Sequence, residues 1–247
     1  MSSLVAAEFR KFRTTRAWIG FLLAVVALTG IAAAGTVGTA RDDQLGTTQL
    51  SRDIVSSSLF AALIVLVIGI MSVTTEWRHG TVTRTFLVTP RRERVLVAKE
   101  AWIVLLAAGL AVIAIFLVLA IAVTWLSFES SSLELDGSVA GLAGRVVLAS
   151  VLWGALGVGI GAVVQSQTPA LVGAIIWVLL VESLIMALLG LVDLEVVADY
   201  LPGRALSSFD GTEEGGLSTW AGGAVGLAWV VALGVLGSVR MTRHDVT

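Results

Sequence analysis

The amino-acid sequence predicts an all-α membrane protein with six transmembrane helices, and three observations support this fold class. Of the 247 residues, 57% are hydrophobic and only 14% are charged, whereas about a quarter are charged in soluble domains. Six apolar stretches reach the length of roughly 20 residues that crosses a bilayer core. None of them shows the period-two alternation of a barrel strand, so the stretches are predicted to be helices.

We place the six spans near residues 17–36, 54–75, 95–126, 140–164, 169–191 and 217–239. The apolar core of the first, from Trp18 to Ala34, is longer than the apolar region of a usual secretory signal, so we expect an uncleaved first helix. The third is about 48 Å long at 1.5 Å per residue, so it should tilt or project into water. We find no internal repeat and no linker, so residues 1–247 should form a single domain.

Basic residues mark one side of this topology. Of the 16 lysines and arginines, twelve lie before span one, between spans two and three, or after span six. They are Arg10, Lys11, Arg13, Arg16, Arg78, Arg84, Arg91, Arg92, Arg94, Lys99, Arg240 and Arg243. Cytoplasmic loops are enriched in basic residues, so we expect both termini and residues 76–94 to be cytoplasmic. Residues 37–53, 127–139 and 193–216 should then face outward.

Several classes of site are excluded by composition. The chain has no cysteine, which excludes disulfides, thiol catalysis and thiolate metal sites. Its two histidines, His79 and His244, are too few for a histidine-rich metal centre. The formal net charge of −2 gives no indication of a nucleic-acid partner, and none is expected. We predict no catalytic residue and no metal site.

Residues 76–94 interrupt the apolar sequence with five arginines, a histidine, a glycine and a proline. No helix breaker lies between Gly80 and Thr89, and Val82 and Phe86 share a face at helical spacing. Pro90 then ends the segment. Two interpretations stay open from the residues alone: a basic loop that only fixes topology, or a short helix that docks a cytosolic partner.

The order of residues in this region carries a family resemblance. The motif E-x-R-x-G-T-V ends span two, and a threonine-rich turn, a leucine, a proline, basic residues and a lysine follow it. The matching positions are Glu76, Arg78, Gly80, Thr81, Leu87, Pro90, Arg92 and Lys99. This pattern, together with the six spans, resembles the ABC transporter permeases of the type-two exporter family. The resemblance implies an amphipathic elbow helix in residues 1–16, a coupling helix within 76–94 and an extracellular re-entrant hairpin before span six.

The resemblance also implies a partner and a set of site residues. In that family the coupling helix inserts into a groove of an ATP-binding subunit, of which we expect two copies. The corresponding residues are Glu76, Arg78, His79, Gly80, Thr81, Phe86, Leu87 and Pro90. The only lysines, Lys11 and Lys99, do not lie in a G-x-x-x-x-G-K-[ST] motif, so the chain should bind no cofactor itself. ATP and Mg²⁺ are expected in the partner subunit. A second copy of this chain or a paralogous permease should complete the channel, surrounded by membrane lipid.

Small and polar residues inside the spans give further candidates. Gly157 and Gly161 in span four and Gly222 and Gly226 in span six are spaced for close helix approach. They serve either packing within the subunit or a dimer or substrate-path face. Glu182 is the only acid well inside a span, where a carboxylate is costly unless it faces protein or water. It either stabilises the bundle, through a pair with Arg145 or through hydrogen bonds, or it takes part in cargo binding or gating.

The sequence therefore favours the permease subunit of an ATP-driven exporter in the bacterial plasma membrane. Its apolar path suits an amphipathic or hydrophobic cargo such as a drug, antibiotic, peptide or lipid, which would link it to efflux and to multidrug or antibiotic resistance. The alternative is an ion-coupled carrier or an intramembrane enzyme without a motor subunit. Co-purification of an ATP-binding chain distinguishes the two classes.

Overall fold

A computed structural model describes residues 2–89, 91–212 and 215–243, and the secondary structure in these ranges is helical, without a strand. The helices before the midpoint are α1 (Ser2–Thr14), α2 (Ala17–Gly38), α3 (Thr48–Ser57), α4 (Phe60–Arg78), α5 (Val82–Val88) and α6 (Arg92–Phe128). Those after it are α7 (Gly137–Val164), α8 (Gln167–Ile176), α9 (Glu182–Gly190), α10 (Glu195–Ala198), α11 (Pro202–Asp210) and α12 (Thr219–Arg243). A π-helical turn, Trp177–Val181, joins α8 to α9.

Six helical segments are long and apolar enough to cross a membrane. They are Ala17–Gly38, Thr48–Arg78, Arg92–Phe128, Gly137–Val164, Gln167–Gly190 and Thr219–Thr242, hereafter spans one to six. The predicted all-α fold with six spans is therefore confirmed. Span three contains 37 residues, which is about 55 Å of helix, so it exceeds the roughly 30 Å apolar core of a bilayer.

Span two begins earlier than the sequence predicts, at Thr48 rather than near residue 54. Its first part, α3, carries polar side chains on its outer face, so a search for continuous apolar residues misses it. A break separates α3 from α4 at Ser58 and Leu59. The hydroxyls of Ser57 and Ser58 donate to the carbonyl oxygens of Ile54 and Val55, each at 2.6 Å. Such local hydrogen bonds compete with the helical ladder.

The core of the bundle is built around span four, which packs against spans two, three and six. Spans two and four approach most closely where glycines face each other. A Cβ added at Gly69 would collide with the carbonyl oxygen of Gly154, and one at Gly157 would collide with that of Leu66. Small residues at these positions let the two backbones meet, which is how membrane helices gain packing energy.

Helix α1, the junction of span two with α5, the start of span three and the end of span six meet at one end of the bundle, which we call the basic end. Helix α1 lies against span three there, with the ring of Phe9 edge-on to Trp102 at 5.4 Å between centroids. Span two passes into α5 at the same end, and Arg92 Nη1 of span three donates to the carbonyl oxygen of Met241 in span six at 2.5 Å. The short helices α10 and α11 lie between spans five and six, and α11 packs on span six.

Candidate functional site

The chain turns sharply at the basic end, where span two gives way to α5. Helix α4 ends at Arg78, and Gly80 follows with a φ of +64°. That left-handed conformation is free for glycine and strained for a residue with a side chain. Gly80 therefore sets the direction in which α5 leaves the bundle.

Helix α5 is fixed to the protein at its first turn and exposed beyond it. The Thr81 N–H donates to the carbonyl oxygen of Glu76 at 3.0 Å, and the Thr85 hydroxyl donates to Glu76 Oε2 at 3.4 Å. The Val82 side chain is buried, at 4% exposed, whereas Leu87 is 77% exposed. The helix thus presents an apolar side chain outward from an anchored base.

The other predicted coupling residues surround this base. Arg78 Nη1 donates to Gln167 Oε1 at the start of span five, at 3.1 Å. The His79 ring nitrogen Nδ1 lies 2.9 Å from the carbonyl oxygen of Thr75, so the histidine closes the end of α4. The side chain of Phe86, and Pro90 and His244 as a whole, lie outside the part of the chain that the structure describes.

Four charged residues form a compact group beside this junction, which we call the charge cluster: Glu8, Lys11, Glu76 and Lys99. Lys99 Nζ lies 3.0 Å from Glu8 Oε2 and 2.8 Å from Glu76 Oε1. Lys11 Nζ lies 2.7 Å from Glu8 Oε1 and 2.7 Å from the same Glu76 oxygen. Lys99 also donates to the carbonyl oxygen of Ser72 at 2.8 Å. The cluster joins α1, span two and span three, and its formal charges cancel.

The two lysines differ in their access to solvent. The Lys99 side chain is 2% exposed, while the Lys11 side chain is 49% exposed. Partial burial by itself lowers the pKa of the Lys11 ammonium, but its hydrogen bonds to Glu76 and Glu8 outweigh that effect and raise the pKa above its ordinary value. Lys11 therefore stays charged at neutral pH and completes the balance of the cluster.

Sequence reasoning missed this pairing, although it singled out Glu76 and Lys99 as motif positions. Glu8 and Lys11 lie in residues 1–16, the predicted elbow helix, and no motif in the sequence pairs them with spans two and three. One signal was present in the sequence: the chain has just two lysines, and both lie at the predicted cytoplasmic ends of apolar segments. A lysine inside the first turns of a span needs a carboxylate partner, because an unpaired buried ammonium is costly.

Glu182 occupies the opposite half of the molecule and is buried at 6% exposed. Its Oε1 accepts hydrogen bonds from Trp177 Nε1 at 2.6 Å and from the Gly203 N–H at 3.0 Å. It thereby connects span five to the first turn of α11. A Cβ at Gly203 would collide with the carboxylate, so a larger residue there would have to displace the Glu182 side chain.

Of the two ways in which Glu182 could stabilise the bundle, the structure contains the hydrogen bonds and not an ion pair with Arg145. Arg145 Nη1 instead lies 3.5 Å from the Thr219 hydroxyl, and its buried Nε has no hydrogen-bond partner among the described residues. The charge of Arg145 acts on Asp210, the last residue of α11. Burial raises the pKa of the Asp210 carboxyl to about 6, partly offset by hydrogen bonds from Thr212 and by Arg145.

The glycines of spans four and six make contacts inside the subunit. A Cβ at Gly161 would lie 2.8 Å from the carbonyl oxygen of Ile70 in span two. On span six, a Cβ at Gly222 would collide with the carbonyl oxygen of Ala205 in α11, and one at Gly226 would lie 2.5 Å from Leu206 Cδ2. Of the two interpretations of these glycines, the geometry favours packing within the subunit.

An apolar cavity of about 280 Å³ lies between spans two, four, five and six. Three indole rings, those of Trp153, Trp177 and Trp229, contribute to its wall, together with Leu66 and Pro202. Trp177 begins the π-helical turn that leads to Glu182, and such turns are frequent at functional sites. The cavity therefore adjoins the hydrogen bonds that hold α11.

In a comparison with protein families, the sequence profile described as ABC-2 family transporter protein matches residues 4–175. This range includes most of α1, the first four spans, α5 and the complete charge cluster. No curated protein matches the chain.

Proposed function

The chain belongs to the ABC-2 family of transporter proteins and is thus a permease subunit of an ABC transporter, and from this premise we propose that it serves an exporter driven by a separate ATP-binding subunit. In this proposal residues 76–94 form the coupling region, and α5 is the helix on which the ATP-binding subunit docks. The permease binds no nucleotide itself; ATP and Mg²⁺ belong to the partner.

The observation that carries the proposal is the form of α5. A seven-residue helix would not be stable alone in water, yet this one is fixed by Glu76 and by the buried Val82. Its far end exposes Leu87. A rigid short helix that presents an apolar side chain beyond the bundle suits insertion into an apolar groove of a partner.

The same proposal places the basic end in the cytoplasm, with α1 as the elbow helix. The exposed face of α1 carries Arg10 and Arg13, and the exposed Arg16 follows just after the helix; these arginines suit the anionic inner surface of a membrane. Helices α10 and α11 then form a re-entrant hairpin on the outer side. ATP is available in the cytoplasm, so the ATP-binding subunit must bind on that side. The proposal puts both α5 and the arginines there.

The proposed cargo is hydrophobic or amphipathic, and the direction is outward. The apolar cavity supports this part of the proposal, since indole rings bind flat apolar groups and cations through their faces. Span five exposes Val172, Ile175 and Leu179 along its outer surface. Such a surface suits lipid or a second permease, identical or paralogous, which would complete the channel.

Retention of the ATP-binding subunit tests the proposal. Leu87→Asp puts a carboxylate into the partner's groove at a cost of about 3 kcal/mol, which corresponds to roughly 100-fold weaker docking. The variant should insert into membranes normally, because Leu87 is exposed. Leu135→Asp is the matched control, since Leu135 is also exposed, at 61%, but lies at the opposite end of the bundle.

The expected result is an affinity-purified complex that loses its ATP-binding chain with Leu87→Asp and keeps it with Leu135→Asp. Equal retention in both variants would show that α5 is not the docking helix. If no ATP-binding chain co-purifies with the native protein, an ion-coupled carrier becomes the better interpretation.

A further inference from the structure

The charge cluster brings three separate elements of the basic end onto one carboxylate. Glu76 Oε1 accepts hydrogen bonds from Lys11 of α1 and from Lys99 of span three. Its other oxygen, Oε2, accepts the Thr85 hydroxyl of α5. Glu76 is itself the last buried residue of span two. One side chain of span two therefore contacts α1, span three and α5.

The cluster is tightly connected. Lys99 uses its three N–H groups on Glu8, Glu76 and the carbonyl oxygen of Ser72, and Lys11 bridges the same two carboxylates. A displacement of Glu76 by a few tenths of an ångström would therefore stretch bonds to both α1 and span three. Hydrogen bonds to charged groups in a low-dielectric interior are stiff and strong compared with apolar contacts, which slide.

Stability alone does not explain why charges occupy this position. A buried group of ion pairs is often no more stabilising than apolar residues of the same volume, because each charge loses its hydration. The apolar neighbours Phe9, Phe12 and Trp102 already pack α1 on span three. What four charges add to this packing is a fixed geometry between elements.

We propose that the charge cluster transmits the movement of α5 to α1 and span three. Glu8, Lys11 and Lys99 are positioning residues that hold Glu76, and Glu76 carries the displacement that the ATP-binding subunit imposes on α5. The inference rests on the proposed function, since it assumes that α5 is the docking helix. It adds a route by which docking reaches the elbow helix directly, without passing along span two.

The test compares two fluorescent reporters in the complex with the ATP-binding subunit. The chain has no cysteine, so Thr83→Cys and Arg10→Cys each give a single labelling site at an exposed position, on α5 and on α1. An environment-sensitive maleimide dye on either cysteine reports the response of its helix to added ATP and Mg²⁺. Both positions should respond in the otherwise native chain.

The decisive variant is Glu8→Gln combined with Lys11→Met, which removes one negative and one positive charge from α1 and leaves the Lys99–Glu76 pair in place. We expect the dye on α5 to keep its response to ATP, while the response on α1 falls by at least about fivefold, the lower limit of ordinary coupling between sites. The control is Asp199→Asn with Arg204→Gln, which removes an ion pair of 2.7 Å at the other end and should change neither response.

An unchanged response on α1 in the Glu8→Gln, Lys11→Met chain overturns the inference. Equal loss of both responses also overturns it, because the cluster would then act on docking and not on transmission. If the double variant does not fold, Lys11→Gln replaces it: Lys11 is half exposed, and a response on α1 that stays at the native level again overturns the inference. A native complex in which α5 gives no response contradicts the proposed function itself, and the inference with it.

Discussion

Lys99 and Lys11 bind the same two carboxylates, but the structure predicts very different consequences when each is replaced by methionine. Lys99→Met removes an ammonium that is 2% exposed and leaves Glu8 and Glu76 to share Lys11. Loss of one partner from a buried ion pair costs about 3–5 kcal/mol, mainly because a buried charge is left without compensation. Since Lys11 still compensates part of this charge, we expect the lower end of that range.

Lys11→Met should cost much less, although its two ion-pair distances are 2.7 Å each and thus no longer than those of Lys99. The Lys11 side chain is 49% exposed, so water screens its charge and solvates the carboxylates after it is removed. Pairs of this kind contribute about 0–1 kcal/mol. Burial, and not distance, decides the difference between the two lysines.

The combined variant Glu8→Gln with Lys99→Met sharpens the argument. It should be more stable than Lys99→Met alone, because Glu8→Gln removes the carboxylate that Lys99→Met leaves short of a partner. A double-mutant cycle on the two positions should therefore give a coupling energy within the 0.5–3 kcal/mol that contacting residues show.

Thermal unfolding in detergent, followed by the fluorescence of the eight tryptophans, measures these differences. For a protein of this size 1 kcal/mol corresponds to roughly 2–4 °C, so Lys99→Met should lower the Tm by about 6–12 °C and Lys11→Met by less than about 4 °C. Equal shifts for the two lysine variants would refute the reasoning from burial. Strict additivity of Glu8→Gln and Lys99→Met would refute their direct pairing.

Four other outcomes follow from positions away from the cluster. Glu182→Gln should lower stability by about 1–3 kcal/mol, because an amide oxygen is a weaker acceptor than a carboxylate for the two buried donors, the Trp177 indole and the Gly203 N–H. An unchanged Tm would contradict the role of Glu182 in holding α11. Gly157→Ala should destabilise the bundle, because the added Cβ would collide with the backbone of Leu66 in span two. Gly144→Ala should be neutral or stabilising, because the space around Gly144 is open. A similar Tm for both variants would contradict the close packing of spans two and four. The pKa of Asp210 is raised to about 6, so the folded state binds this proton more tightly than the unfolded state. The contribution of Asp210 to stability is then full below pH about 4 and is lost as the pH rises through 6. If the Tm of Asp210→Asn still falls over this pH range, the loss does not come from Asp210. Finally, a cysteine at Ser131 should react with an impermeant maleimide in intact cells, and reaction only after the membrane is opened would reverse the proposed orientation.

The six spans could be predicted because the free energy of placing a residue in lipid depends mainly on the residue itself. That is why the ends of spans one, three, four and six agree with the sequence within a few residues. Span two shows the limit of this reasoning. Its first part, α3, contains Gln49, Arg52 and Asp53 on one side and buries Leu50 and Ile54 on the other. This segment joins the membrane helix through its tertiary packing. A search for continuous apolar residues therefore does not detect it.

The contacts between elements could not be predicted in the same way. Glu8 and Lys99 are 91 positions apart, and nothing in the local sequence states that α1 folds back on span three. The choice between an Arg145 pair and hydrogen bonds for Glu182 stayed open in the sequence for a similar reason. Counting residues along a helix gives the depth of a side chain but not the direction in which it points, so two residues at one depth can face different neighbours. The π-helical turn before Glu182 alters that direction further.

Glu76 and Glu182, two buried glutamates that lie in spans, solve one structural problem at opposite ends of the bundle. Each lies in a span and accepts hydrogen bonds from a short helix, α5 or α11, that does not cross the membrane. Glu76 is also held by two lysines, whereas Glu182 has no ion pair among the described residues and depends on the Trp177 indole and the Gly203 N–H. An ionic junction keeps its geometry when it is loaded, because several strong bonds must lengthen together. A junction of two hydrogen bonds can open and reform at lower cost. The structure therefore gives α5 a stiffer connection to the bundle than α11, which is held beside the apolar cavity.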